Sequence, residues 1–218
     1  MNITIILTAT VNIDKKIESI YQTDSKDRLQ LYIKSIYQWL TKTNFKIILV
    51  ENSGYPFNEI NNLKIEYINR FEVISFKENN LKTALYLRKL RSKGAHEIFA
   101  INYAFNHSKL IDNSSFIIKI TGRFFIPTFE NYLSQFNLDD YDCLTQHNRN
   151  RCEVVGCRYA NFSYIFNIYL MNDDNKYDPQ IENIWQLRTL KYNKVLVCDK
   201  FHIEKTQRGG ANQMYNFI

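Results

Sequence analysis

Phe116-Ile117-Ile118-Lys119-Ile120-Thr121-Gly122-Arg123 is an apolar run that ends in a polar turn. Four of the five positions in residues 116–120 are aromatic or β-branched. A strand wetted on one face alternates apolar and polar residues, whereas a near-continuous run suits a parallel strand covered on both faces. A helix over residues 92–110 leads into it. Ser92 can cap this helix, Glu97 lies in its early turns, and Ile98, Ile101, Ala104 and Phe105 form its apolar stripe. Asp112-Asn113-Ser114-Ser115 ends the helix, and the strand begins at once.

The same pattern recurs upstream. Residues 3–9 form a first apolar, β-branched run, followed by a polar stretch over 12–25. Residues 27–41 have helical spacing, with Leu29, Tyr32, Ile33, Ile36, Tyr37 and Leu40 on one side. Residues 45–50 form the next strand, which stops at Glu51-Asn52-Ser53-Gly54, a run of turn formers. Strand–helix–strand units of this kind build parallel sheets with right-handed crossovers. Residues 71–76 are another strand, and the basic segment 79–90 is partly helical. Downstream the pattern loosens. A short helix is expected over 129–136, and an antiparallel strand pair over 141–146 and 153–159. Residues 162–171 are aromatic and fit either element. A helix led by Asp178-Pro179 covers 181–192, and a last strand 194–198. Thr206-Gln207-Arg208-Gly209-Gly210 reads as a flexible tail. The predicted fold is α/β: a mostly parallel central sheet with helices on both faces. It forms one domain over residues 1–218, with halves 1–125 and 126–218.

Composition narrows the classes. Of the 218 residues, 45% are hydrophobic, which excludes a largely disordered chain. No apolar run approaches the ~18 residues of a membrane span. The apolar N-terminal stretch lacks a basic leader and reads as a strand, so the expected location is cytoplasmic. Cys143, Cys152, Cys157 and Cys198 have no zinc-box spacing and read as reduced thiols. His96, His107 and His147 have neither triad nor metal spacing and read as structural or surface residues. The net charge of +6 is scattered, so it suits an anionic small ligand, a nucleic acid or an anionic membrane surface without selecting one. Neither a G-x-G-x-x-G nor a Walker-type loop is present, which argues against classical dinucleotide and P-loop sites.

Ligands of open parallel sheets sit at the carboxyl ends of the strands. That rule selects Thr8-Ala9-Thr10, Glu51-Asn52-Ser53, the basic segment before Gly94, and the stretch from Lys119 through Thr121 to Arg123. In order and spacing, residues 1–125 resemble GT-A glycosyltransferases of the family-2-like kind. The match rests on Val50-Glu51-Asn52-Ser53, on Ser92-Lys93-Gly94 with Ala100 and Asn102, and on the strand 116–120. The chain departs from that family where a metal-binding D-x-D would lie, because Thr121-Gly122-Arg123 stands there instead. Carboxylates hold Mg²⁺ or Mn²⁺ against the donor's diphosphate; Arg123 can meet a phosphate directly with a planar fork of donors.

The resemblance implies transfer of a sugar from a nucleotide-sugar donor to a glycan or lipid-linked acceptor, with no cofactor and no D-x-D-bound metal. Glu51 and Asn52 would contact the base or ribose, and Lys93 and Arg123 the diphosphate. Lys119 would add a point charge if strand alternation turns it inward. Thr8, Thr10, Ser53, Gly94 and Thr121 complete the donor-binding set. Glu182, in a segment like E-D-x-x-L-x-x-R but with Asn183 in the second place, would take the acceptor's proton. Glu153, Asp174 and Asp178 compete for that role. His202 and Arg208-Gly209-Gly210 would close over the diphosphate. Tyr159, Phe162, Tyr164, Phe166 and Tyr169 form either a sugar-stacking platform or core. Three other readings stay open: an inactive nucleotide- or glycan-binding protein of the same fold, a basic nucleic-acid-binding protein, and a nucleotidyltransferase. The scattered charge disfavours nucleic acid, and any contact with a membrane surface would be peripheral.

Overall fold

A computed structural model describes residues 2–13, 21–90, 92–148, 150–207 and 213–218. Its centre is a seven-stranded sheet built from β1 (Ile3–Ala9), β2 (Lys46–Glu51), β3 (Phe71–Ser75), β4 (Phe116–Thr121), β5 (Cys143–Thr145), β6 (Val154–Arg158) and β7 (Val195–Val197). The spatial order is β3-β2-β1-β4-β6-β5-β7. The first four strands are mutually parallel. β6 runs antiparallel to both β4 and β5, and β7 is parallel to β5. The predicted α/β class, with a mostly parallel sheet, is the observed one.

Alternation within the buried strands divides the core in two. Ile5, Leu7, Ile47, Leu49, Ile118 and Ile120 face helix α1 (Ser25–Lys42), with Leu29, Tyr32, Ile36 and Trp39 against them. Ile6, Ile48, Val50 and Ile117 face the other way. They pack on α3 (Lys93–His107) and α6 (Ile181–Leu190) through Ile98, Ile101, Ile184 and Trp185. Each face thus buries its own apolar set, as the unbroken strand runs require. Asp24 caps α1 by accepting from the Asp27 N–H at 2.9 Å. Ser92 caps α3 by accepting from Ala95 N–H at 3.4 Å.

Several minor elements differ from expectation. α2 (Asn61–Glu66) was not anticipated: it is one short turn without a cap side chain. The basic segment forms a 3₁₀ stretch over Lys82–Lys89. The 129–136 helix is the shorter α4 (Phe129–Leu133), and the ambiguous aromatic segment begins as α5 (Phe162–Ile165). β7 is not the last strand. β8 (His202–Gln207) and β9 (Met214–Phe217) pair antiparallel as a separate two-stranded sheet, so Thr206 and Gln207 belong to a strand. Both strands are largely exposed, so they lack the apolar runs that marked the central strands. Among the described residues no helix is long and apolar enough to cross a membrane.

Candidate functional site

Strand order reverses direction at β1: β2 and β3 build outward on one side, and β4 follows on the other. A crevice at such a switch point, outside the carboxyl ends of the strands, is where open α/β sheets bind ligands. A cavity of about 160 Å³ lies there. Thr8 and Thr10 line it from the end of β1, Asn52 from β2, and Thr121 and Arg123 from β4. Lys93, Gly94, His96 and Glu97 enter from α3; Ile181 and Glu182 enter from α6. A second cavity, lined by Asn12, Ser53, Lys77 and Glu78, adjoins it and shares Thr10, Asn52 and His96.

The β4 exit turn is fixed by Gly122. Its N–H donates to the Thr8 carbonyl at 2.9 Å, and a Cβ there would stand 2.6 Å from that oxygen. Only glycine allows the turn to lie this close over β1. The turn places Arg123 on the cavity wall, half-buried, with its guanidinium 5.3 Å from the Phe124 ring centre. Its buried Nε has no hydrogen-bond partner among the described residues. Burial lowers the Arg123 pKa, although an arginine stays charged. Lys93 is exposed at the mouth. Gly94 is a contact glycine: an added Cβ would lie 2.7 Å from Ile181 Cβ, so it lets the N-termini of α3 and α6 meet at the cavity.

Arg28, which sequence reasoning missed, organises the β1 exit. Its Nε donates to the Thr10 carbonyl at 2.7 Å and its guanidinium reaches Tyr32 Oη, also at 2.7 Å. Thr10 Oγ1 donates to Asn52 Oδ1 at 2.6 Å, and Asn52 Nδ2 donates to Glu78 Oε2 at 3.0 Å. Glu78 also pairs with His96 Nδ1, which places His96 in the site rather than on a bland surface. Glu51 has a different place from the one the resemblance implied. It is completely buried, and its carboxylate accepts the N–H groups of Val11, Ser53 and Tyr55 at 2.7–3.1 Å and the Ser53 hydroxyl. Glu51 therefore holds the loop that follows its strand and does not line the cavity. Ser53 serves the same loop, accepting from Asn12 N–H at 3.0 Å, and reaches only the adjoining cavity.

Lys119 points toward α3 and α6 and has no exposed surface. Its ammonium donates to the Cys152 carbonyl at 2.6 Å and Glu97 Oε1 at 2.8 Å, so it stands behind the cavity wall instead of reaching a phosphate. Burial pulls its pKa down, but Glu97 and its other anionic neighbours outweigh this and hold it above the ordinary value. Cys152 Sγ lies 3.4 Å from Glu182 Oε1, and burial pushes that thiol's pKa well up. Glu182 is half-buried on the cavity. Asn183 instead bonds Asp178 Oδ2 at 3.0 Å and Gln180 Oε1 at 3.2 Å ahead of the helix. Arg188 is spent on the carbonyls of Ile165, Asn167 and Tyr169 at 2.6–3.0 Å.

Of the remaining candidates, Glu153 lines the cavity, and Asp174 and Asp178 do not. His202 is exposed on β8 opposite Phe217, outside the cavity. Arg208, Gly209 and Gly210 lie outside the described residues. Tyr159, Tyr164 and Tyr169 are exposed, whereas Phe162 and Phe166 are core. A literal D-x-D does occur, at Asp140-Tyr141-Asp142. It precedes β5, a strand parallel to β4, and so lies at the amino ends of the strands, away from the cavity at their carboxyl ends.

GT-A enzymes that carry a D-x-D hold a divalent metal with it, and the residues at this cavity do not fit that arrangement. Thr121, Gly122 and Arg123 at the exit of β4 offer no carboxylate, and Glu97 already faces the Lys119 cation. Among the described residues no group of three His, Cys, Asp or Glu is placed to hold a metal ion.

No protein-family model matches the sequence, and no curated protein matches it. Solved structures with a similar arrangement include galactosyltransferase LgtC in complex with donor and acceptor sugar analogs. Its TM-score is 0.48 and its identity 9%, covering 90% of this chain and 73% of that one. A cytidylyltransferase from Leptospira borgpetersenii serovar Hardjo-bovis has a TM-score of 0.49 and 10% identity, covering 99% and 82%. A proposed nucleotide-diphospho-sugar transferase from Desulfovibrio desulfuricans G20 has a TM-score of 0.47 and 15% identity, covering 90% and 79%. Likeness at these scores carries no argument about activity.

Proposed function

We propose that the chain is a cytoplasmic glycosyltransferase that moves a sugar from a nucleotide-sugar donor to a glycan or lipid-linked acceptor, without a divalent metal. One observation supports this above the others. Arg123, whose Nε has no partner among the described residues, stands in a cavity that also holds Lys93 and the N-termini of two helices of 15 and 10 residues. Cations and positive helix ends favour an anion. A departing nucleoside diphosphate gains negative charge, and fixed donors aimed at it lower the barrier. Arg123 supplies a planar fork and Lys93 a mobile point charge.

The other parts take complementary roles. Asn52, held by Thr10 and Glu78, is a rigid amide at the β2 exit that can address the base or ribose of the donor. Glu182, which lines the cavity from α6, accepts the proton of the acceptor hydroxyl as that oxygen attacks the sugar. Thr8, Gly94 and Thr121 shape the cavity between them.

A thermal-shift screen of UDP, GDP, CMP and dTDP sugars, run in EDTA and in Mn²⁺, tests the reading. Binding at ~100 times Kd stabilises the folded state by about 2.7 kcal/mol, which a melting curve resolves. Stabilisation by one of these donors in EDTA is expected, with product formed when acceptor is added. Strict dependence on Mn²⁺ would overturn the account of Arg123. Binding without transfer would leave an inactive binding protein.

A further inference from the structure

The cavity wall contains an ion pair that the transfer chemistry above does not use. The Lys119 ammonium has three acceptors: the Cys152 carbonyl at 2.6 Å, Glu97 Oε1 at 2.8 Å and Thr121 Oγ1 at 3.3 Å. An ammonium has three N–H donors, so none remains for a ligand. Cys152, Glu97 and Thr121 come from the segment before β6, from α3 and from the end of β4, and each lines the cavity. One inaccessible cation thus ties three separate walls together.

Glu97 is held by only one of its oxygens. Oε1 accepts from Lys119 and from Thr8 Oγ1, each at 2.8 Å. Oε2 takes no hydrogen bond from a described residue, and the side chain keeps 22% of its surface exposed. An ionised carboxylate oxygen in a part-buried cavity calls for a donor. A diphosphate cannot be that donor, because it carries the same charge and belongs with Arg123 and Lys93. A neutral polyhydroxylated group can, since each of its hydroxyls offers an O–H.

We propose that Glu97 is the specificity-determining residue for the donor's sugar: Oε2 accepts a hydrogen bond from a sugar hydroxyl, and Lys119 is the positioning residue that aims the carboxylate. This rests on the glycosyl-transfer reading. A site built around such a bond rejects an analogue lacking the hydroxyl, because the carboxylate oxygen is then left unpaired.

Calorimetry on matched pairs tests the proposal: UDP and UDP-glucose, GDP and GDP-mannose, dTDP and dTDP-glucose. The proteins are the native chain, Glu97→Gln, Lys119→Met and the double variant. In Glu97→Gln the nucleotide sugar should bind about tenfold more weakly while the bare nucleotide is unaffected. Lys119→Met should show the same selective loss although Lys119 touches no ligand, and the double variant should lose no more than either single one. A purely structural Lys119 would weaken both members of a pair alike. Loss of both members in Glu97→Gln, or of neither, overturns the proposal, and that variant decides alone if Lys119→Met does not fold. If the native chain binds no member of any pair and no CMP sugar, the glycosyl-transfer reading itself falls.

Discussion

Arg123 and Glu182 face the same small cavity from different elements, and their substitution should separate two kinds of loss. Arg123→Ala removes a fixed donor to the departing diphosphate, so kcat should fall by about 10²–10³. Glu182→Gln keeps the size and removes the base, so kcat should fall by about 10²–10⁴ while donor affinity stays. Steady-state kinetics with the donor found by the thermal screen measure both, and an Arg123→Ala variant with native turnover would show that the guanidinium has another job. These two residues could be picked out from sequence because each follows an element boundary that composition marks. Glu51 looked equally good on that basis. It differs because its carboxylate is used up by the N–H groups of Val11, Ser53 and Tyr55, a local closure that a strand-end acid does not advertise. Glu97 was visible only as a helix acid, since its partner Lys119 comes from another element and becomes a neighbour only in the folded chain.

Among the elements, α3 and α6 press closely together at Gly94 and Ile181. An alanine Cβ at position 94 would stand 2.7 Å from Ile181 Cβ and 3.0 Å from its Cγ2. Alanine suits a helix better than glycine by up to about 1 kcal/mol. Overpacking against a β-branched side chain costs about 1–3 kcal/mol and outweighs that gain. Gly94→Ala should therefore lower the urea midpoint and shift Glu182 with the start of α6. Combining it with Ile181→Ala should give a smaller penalty than the sum of the two, and simple additivity would mean the helices do not press on each other there. The helix starts were legible from Ser92 and from Asp178-Pro179, whereas their meeting was not. The β8–β9 hairpin escaped for another reason: its burial alternates weakly, as in His202–Gln207, and no apolar run marks it.

For the whole molecule, one histidine gives stability a pH slope. Burial first, then the charges of Arg151 and Lys200, lower the pKa of His147 below its ordinary 6.5. The folded state thus binds this proton less readily than the unfolded chain, so the fold loses stability as pH drops below about 6.5. Stability should decline as pH falls through that range, and His147→Gln should flatten the decline in melting curves taken from pH 7 to pH 5. An unchanged slope in the variant would assign the effect to other groups.

The position of β1 in the sheet has a consequence for synthesis. Its register joins Ile3 to Phe116 and Thr8 to Thr121. At a ribosomal pace of about 5–20 residues per second, the first strand waits on the order of 6–25 s for the partner on its second edge. During that interval a nearly all-apolar strand has one unsatisfied side, the situation in which nascent chains pair with one another or recruit a chaperone. Codon choice between residues 10 and 115 should therefore influence soluble yield without altering a single contact in the finished protein.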